Sequence, residues 1–260
     1  MIERLARLGY VSIGIVYMIA GLLAAAAGLG LGGSTRAQKG AFTFILHQPF
    51  GRLLLAAIAL GLAGYALWRL IDGFTDSEGR GNDAKGIALR IGSIARGLAY
   101  AAISMEVVRM ILHHGSSGKS SDANAKHWTA RLFDHPFGRL LVAAAGLAII
   151  GTGAYQLYKG LFAKLSRRLH LGAMDAAFRR KVIAVVRFGI AARGVVFFVI
   201  GGSFVNAALH YDANAARGTS GALRQLAHPF GGALLAAAGL GLAAYGLYAF
   251  VNARYRSIRA

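Results

Sequence analysis

Cysteine is missing from all 260 residues, and proline occurs only three times, at Pro49, Pro136 and Pro229. The first absence excludes disulfides, thiolate nucleophiles and cysteine-held metals. The second leaves long stretches in which nothing breaks a helix. Acid is also scarce: 10 Asp and Glu stand against 29 Lys and Arg, a net charge of +19. A paired-carboxylate active site has little to draw on, since Glu106 is the only acid inside an apolar run and the others lie in connections and ends. No lysine falls inside a run, which excludes a buried retinal Schiff base. These gaps argue against an enzyme.

What the chain has in quantity is apolar sequence, 56% hydrophobic residues against 15% charged. Six runs, at 8–31, 50–71, 91–112, 137–158, 188–209 and 230–251, each hold 22 to 24 residues. A helix of that length is about 33 Å long, enough to cross a bilayer core. In lipid every backbone group must be satisfied within the segment, so the expected fold is an all-α, polytopic membrane protein with six transmembrane helices. The first run follows Arg4 and Arg7 and ends in small residues, as a signal peptide does. It is too long for a signal core and shares a pattern with later runs, so it is expected to be a retained span. "GLGLGG" at 28–33 follows a membrane helix and not a strand, which removes the context of a phosphate loop.

The basic charge is unevenly placed. The N-terminus, 69–90, 159–187 and the tail from 252 carry 17 Lys and Arg, whereas 32–52, 113–139 and 210–232 carry 9. By the positive-inside rule both termini face the cytoplasm. The charge is thereby assigned to membrane orientation, and nucleic acid is not an expected partner.

The runs come in repeats. The odd-numbered ones open with "RLGYVSIGIVYMIAG", "RIGSIARGLAYAAIS" and "RFGIAARGVVFFVIG", which align Arg7, Arg90 and Arg187, then Gly14, Gly97 and Gly194. The even-numbered ones open at "PFG" and end in Gly61, Tyr65, Trp68; Gly151, Tyr155, Tyr158; and Gly241, Tyr245, Tyr248. On this alignment the middle unit carries three extra residues, and each proline falls in the first helical turn, where its missing N–H costs nothing. Glycine allows close helix approach in lipid, and tyrosine near a helix end suits the membrane interface. Three two-helix repeats follow, at 7–72, 90–160 and 187–252, with a basic amphipathic connection at 161–186.

These motifs, with "ARG" at 95–97 and 192–194, "GLAAYGLY" at 241–248, "KLSRRLHLGAMDAAFRRKV" and the closing "ARYR", resemble the bacterial membrane family known as domain of unknown function 1206. The resemblance implies three tandem two-helix repeats in a bacterial inner membrane and transfers no reaction. The first repeat departs from it, with Ile13 where Arg96 and Arg193 stand in the others.

Three features exceed what a plain bundle needs. Arg96 and Arg193 lie six residues beyond the boundary arginines, either as interfacial anchors or as cations facing the interior to bind an anion. Glu106 and Arg109 share one helix face, as a structural pair or as a gating group, and Ser203 and Asn206 match them in the third repeat. His113 and His210 end two helices, and His47, His135 and His228 precede the prolines; they either cap or converge to hold a divalent metal. No tight ligand spacing supports a metal, and no cofactor is expected beyond bound lipid. The basic connection suits an anionic leaflet. Two functions fit: a channel or transporter-like bundle for an ion or small solute, or an accessory scaffold that binds lipids, a second copy or partner membrane subunits.

Overall fold

The computed structural model describes residues 2–113, 120–162 and 176–255, and within them the chain is helical with no strand. The helices are α1 (Ile2–Gly28), α2 (Ala37–Leu46), α3 (Gly51–Thr75), α4 (Ala84–Leu112), α5 (Ser121–Phe133), α6 (Gly138–Phe162), α7 (Ala176–His210) and α8 (Thr219–Tyr255). Six are long and apolar enough to cross a membrane: Ala6–Gly28, Gly51–Thr75, Gly86–Leu112, Gly138–Phe162, Arg179–His210 and Gly231–Tyr255. The six expected spans are therefore present. They run further than the apolar runs suggest, so Asp72, Lys159 and Lys181 also lie inside them. Of the connection at 161–186, residues 163–175 lie outside the described residues, and the part from Ala176 belongs to α7.

Each repeat also contains a short helix that the apolar runs do not reveal. α2, α5 and the part of α8 before its bend at Gly231 (φ 69°) each precede a spanning helix. This moves the prolines: Pro49 and Pro136 sit in the turn after the short helix, two residues before the spanning helix begins, and not in its first turn. Phe50 (φ 60°) and Phe137 (φ 63°) take the left-handed conformation that turns the chain there. Ser120 caps α5 by accepting from the Ala123 N–H at 3.1 Å, and Asp83 caps α4 through Gly86 at 2.9 Å.

The spanning helices form a ring. α3 packs on α4, α6 on α7, and α8 on α1, joining each repeat to the next; α1 packs on α3 and α7 on α8 within the first and third repeats. α4 and α6, the two spanning helices of the second repeat, share no comparable interface. We call the end where α1 begins and α8 ends the basal end, and the opposite end distal. At the basal end the boundary arginines tie the seams between repeats: Arg90 donates to the carbonyls of Gly73 (3.0 Å) and Phe74 (2.8 Å), Arg7 to Ala253 (3.1 Å) and Arg254 (3.3 Å), and Arg187 to Leu161 (3.2 Å). A cation on the last carbonyls of a neighbouring helix satisfies them and complements the helix dipole, worth about 0.3–1 kcal/mol each.

These contacts set a register that differs from the one read from the tyrosine endings. Gly73 and Gly160 approach the Arg90 and Arg187 carbonyls, and Gly153 and Gly246 approach those of Gly194 and Gly14. Counted from the prolines, the members of each pair are equidistant, so α6 carries no insertion. Its glycine–tyrosine ending lies three residues nearer the basal end. Thr152, not Tyr155, matches Tyr65 and Tyr245, and Gln156 matches Arg69.

Candidate arginine and tyrosine site on the ring axis

Two arginines are drawn into the basal half of the bundle, one in the first repeat and one in the third. Arg193 leaves α7 about 9 Å beyond Arg187 along the helix. It donates to the Tyr245 hydroxyl of α8 at 2.9 Å and the Gln156 Oε1 of α6 at 3.3 Å, and it hydrogen-bonds Tyr17 of α1. Its guanidinium also lies 4.5 Å from the Tyr245 ring centre, 4.6 Å from Phe197 and 5.4 Å from Tyr17. Four helices thus surround one cation with rings and neutral oxygens. Its Nε is buried without a hydrogen-bond partner, and among the described residues no carboxylate lies within ion-pair distance.

The tyrosines follow the ring symmetry. Tyr65 of α3 meets Tyr100 of α4 edge-on at 4.9 Å, and Tyr245 of α8 meets Tyr17 of α1 in the same way at 5.0 Å. At the third seam Phe197 stands where Tyr17 and Tyr100 do, but Thr152 replaces the tyrosine, and Gln156 faces Arg193 from α6. Tyr65 and Tyr245 are therefore interior hydrogen-bonding groups and not the interfacial anchors expected from their place near a run's end. Tyr155 is exposed.

Arg69 is the other buried cation. Its Nε donates to the Tyr65 hydroxyl at 3.0 Å and Nη2 to Tyr10 at 3.3 Å, with Trp68 beneath it at 4.1 Å. Unlike Arg193 it has acids: Asp72, fully buried, at 3.6 Å and Glu78 at 3.8 Å. Arg80 joins both at 2.8 and 2.9 Å and reaches Ser93 of α4 at 2.7 Å. Two cations and two carboxylates close a neutral network between α3, the following loop and α4. The sequence reading missed it by placing residues from 69 onward in a connection; the i, i+3 spacing of Arg69 and Asp72 on a continuing helix was the available signal.

The other expected site residues do not join the axis. Arg96 is exposed on α4, its Nε donating to the Gly92 carbonyl at 2.8 Å. Glu106 is half-buried and Arg109 exposed, and no ion pair joins them among the described residues. Arg109 stands three residues from the end of α4, where a long side chain can extend toward the membrane surface. Ser203 donates to the Ile200 carbonyl at 2.7 Å and accepts the Arg217 N–H at 3.0 Å, holding the loop before α8; Asn206 is exposed. His47, His113 and His210 each turn Nδ1 toward the carbonyl four residues back, at 2.7, 3.1 and 3.0 Å. His135 lies in the turn before α6, and the His228 side chain lies outside the described residues. Among the described residues no three His, Cys, Asp or Glu groups come together as a metal site. His47, His113 and His210 thus each bond a carbonyl in the last turn of their own helix.

The packing glycines divide in the same way. Gly14, Gly97 and Gly194 face side chains of the preceding repeat (Phe250, Leu70 and Leu157), and Gly61 and Gly241 face Ser12 and Ala192. Gly151, expected to pack, faces nothing within 4 Å, because it stands off the register.

At the distal end Asp122 of α5 accepts from the Gly218 (2.9 Å) and Gly221 (2.7 Å) N–H groups and pairs with Arg224, and Ser121 bonds Ser220 at 2.9 Å. The start of α5 thus caps the start of α8. Two surface grooves lie between α6 and α7, one beside Arg180 and Arg187 and one beside Arg139, and neither is lined by Arg193 or Glu106.

A ring of six spanning helices built from three repeats, each with a short distal helix, defines a polytopic membrane protein with internal threefold pseudosymmetry. The family model described as Domain of Unknown Function (DUF1206) matches three times, at 8–76, 91–163 and 188–256, and the chain belongs to that family. It is 32% identical over 260 residues to the uncharacterized protein YxxB of Bacillus subtilis (strain 168), covering 98% of this chain and 91% of that protein. No solved structure matches it.

Proposed function

We propose that this chain binds a small anion on the ring axis at Arg193 and carries it across a bacterial inner membrane, with the basal end in the cytoplasm. The observation behind this reading is the uncompensated cation. Burying an arginine among rings and neutral oxygens is costly, and intramembrane charge of this kind is kept for substrate or ion pathways. An anion with two or more oxygens matches the planar fork of a guanidinium. The reading assigns no catalytic residue, cofactor or metal. The axis is filled by the tyrosine pairs, so the described conformation is a closed one, and carriage requires those pairs to part. The same closure favours a second reading, a static scaffold.

The test is thermal unfolding of the purified chain in detergent with inorganic phosphate, succinate or chloride. A bound anion at 100-fold excess over its Kd stabilises by about 2.7 kcal/mol. Wild type is expected to gain stability with phosphate or succinate, and Arg193→Gln to gain none. Exchange of labelled phosphate or succinate by sealed proteoliposomes then separates the readings, because binding without exchange leaves the scaffold. No stabilisation by any of the three anions overturns the anion site.

A further inference from the structure

The missing α4–α6 interface lies beside the second repeat's own copy of the axial arginine. In the first and third repeats this junction is tightly closed: Gly9 lies against Tyr65 and Gly61, and Gly189 against Ala244 and Tyr245. The matching residue of the second repeat, Gly92, meets only the tip of Arg96, at 3.8 Å from where a Cβ would be. One step along, Ser12 meets Gly61 and Ala192 meets Gly241, whereas their counterparts Ala95 and Ala148 are both exposed. Tyr155 is exposed too, while Trp68, which holds its position in the first repeat, is buried. One of three equivalent junctions is therefore left open to the bilayer.

Charge says what fits there. Arg96 occupies the same repeat position as Arg193, and it lies within electrostatic reach of Tyr65 and Tyr245 on α3 and α8 as well as of Arg69 and Arg80. Among the described residues it has no carboxylate partner at ion-pair distance, and its Nε donates to the Gly92 carbonyl of its own helix. The seam thus combines apolar small residues with a cation that has no acid beside it among the described residues, and Arg193 lies deeper on the axis. A second copy of this chain would bring a further arginine to the seam, whereas an anionic phospholipid brings both an acyl chain for the small residues and a phosphate for the guanidinium.

We propose that the α4–α6 seam is a lateral binding site for an anionic phospholipid, with its phosphate on Arg96 and an acyl chain between Ala95 and Ala148. The proposal rests on the reading of the axis as an anion site, which it deepens by naming a membrane lipid as the ligand that enters from the side.

The experiment is native mass spectrometry of the full chain from mixed micelles holding equal phosphatidylglycerol and phosphatidylcholine. Wild type is expected to retain phosphatidylglycerol about tenfold over phosphatidylcholine, the ratio that one charge-assisted contact supplies. Arg96→Gln should remove the preference, Arg96→Lys should keep part of it, and Ala148→Trp, which fills the seam, should remove retention of both lipids. Thermal unfolding of each variant checks that it is folded, and Ala95→Leu gives a second, milder obstruction should Ala148→Trp fail to fold. Equal retention of the two lipids, unchanged retention in Arg96→Gln and the alanine variants, or a dimer mass in place of bound lipid would each overturn the seam site. Inorganic phosphate separates this proposal from the axial site: stabilisation by phosphate that depends on Arg193, with no lipid retained, sinks the seam and leaves the axial reading standing.

Discussion

Arg69 and Arg193 are both drawn toward the interior in the basal half of the ring, and both bond a tyrosine at the same repeat position, Tyr65 or Tyr245. They differ in what else surrounds them. Arg69 has Asp72 and Glu78, with Arg80 completing a neutral set, while Arg193 has Gln156 and rings. The register explains the difference: the position of Asp72 is Lys159 in the second repeat and Asn252 in the third, and those two side chains bond Tyr248 instead. A repeat scaffold has thus produced one site whose charges are satisfied internally and one whose cation is left for something else. On the reading proposed above, the first serves stability and the second serves binding.

The strongest way to break this comparison is to remove a charge from each site. Asp72 is fully buried between two arginines, and Asp72→Ala leaves both without their nearest acid. Breaking a buried pair costs about 3–5 kcal/mol. Arg193→Met is expected to stay within about 1 kcal/mol of wild type, since relief of desolvation offsets the lost bonds to Gln156 and Tyr245. Thermal unfolding in detergent without added anion checks both. Equal losses would mean that Arg193 is as structural as Asp72.

A milder change should convert one site into the other. Gln156 faces Arg193 from the register position that Arg69 holds in α3, and it is largely buried. Gln156→Glu places a carboxylate at the 3.3 Å contact, turning a neutral hydrogen bond into a charge-assisted one. Hydrogen bonds to charged groups contribute about 1.5–3 kcal/mol, so some 2 kcal/mol of added stability is expected, with loss of stabilisation by phosphate or succinate. A variant that is stabilised yet still responds to anion would place the anion site away from Arg193.

The spans were legible because a run of 22 apolar residues has few other uses, and the three repeats were legible because Arg7, Arg90 and Arg187 recur in one context. The short helices were not. α2 has ten residues and includes Lys39 and Gly40, and α5 is polar, so neither shows as an apolar run. The register of α6 was misread because a glycine–tyrosine motif recurs there three residues late, whereas distance from the proline is what packing preserves. Arg193 was a candidate from its sequence position, but its surroundings come from four helices spread between Tyr17 and Tyr245. No local pattern contains Gln156 as its partner, or tells that Arg69 is paired and Arg193 is not.

The smallest expected effect concerns the loop that completes the Arg69 site. Asp76, just past the end of the α3 span, accepts the N–H groups of Arg80 and Gly81, both at 2.8 Å, and so holds Arg80 against Asp72 and Glu78. Those two backbone bonds favour the charged form and hold its carboxyl below the usual value of 3.8. A group whose pKa is lower in the folded state contributes stability that is fully present above its unfolded pKa and is lost as pH falls through the folded one. Thermal unfolding of wild type should therefore weaken below about pH 4, and Asp76→Asn should remove a small part of that dependence while leaving anion stabilisation unchanged. If Asp76→Asn instead altered the anion response as Arg193→Gln is expected to, the two arginine sites would be coupled, and the division between a structural cation and a binding one would fail.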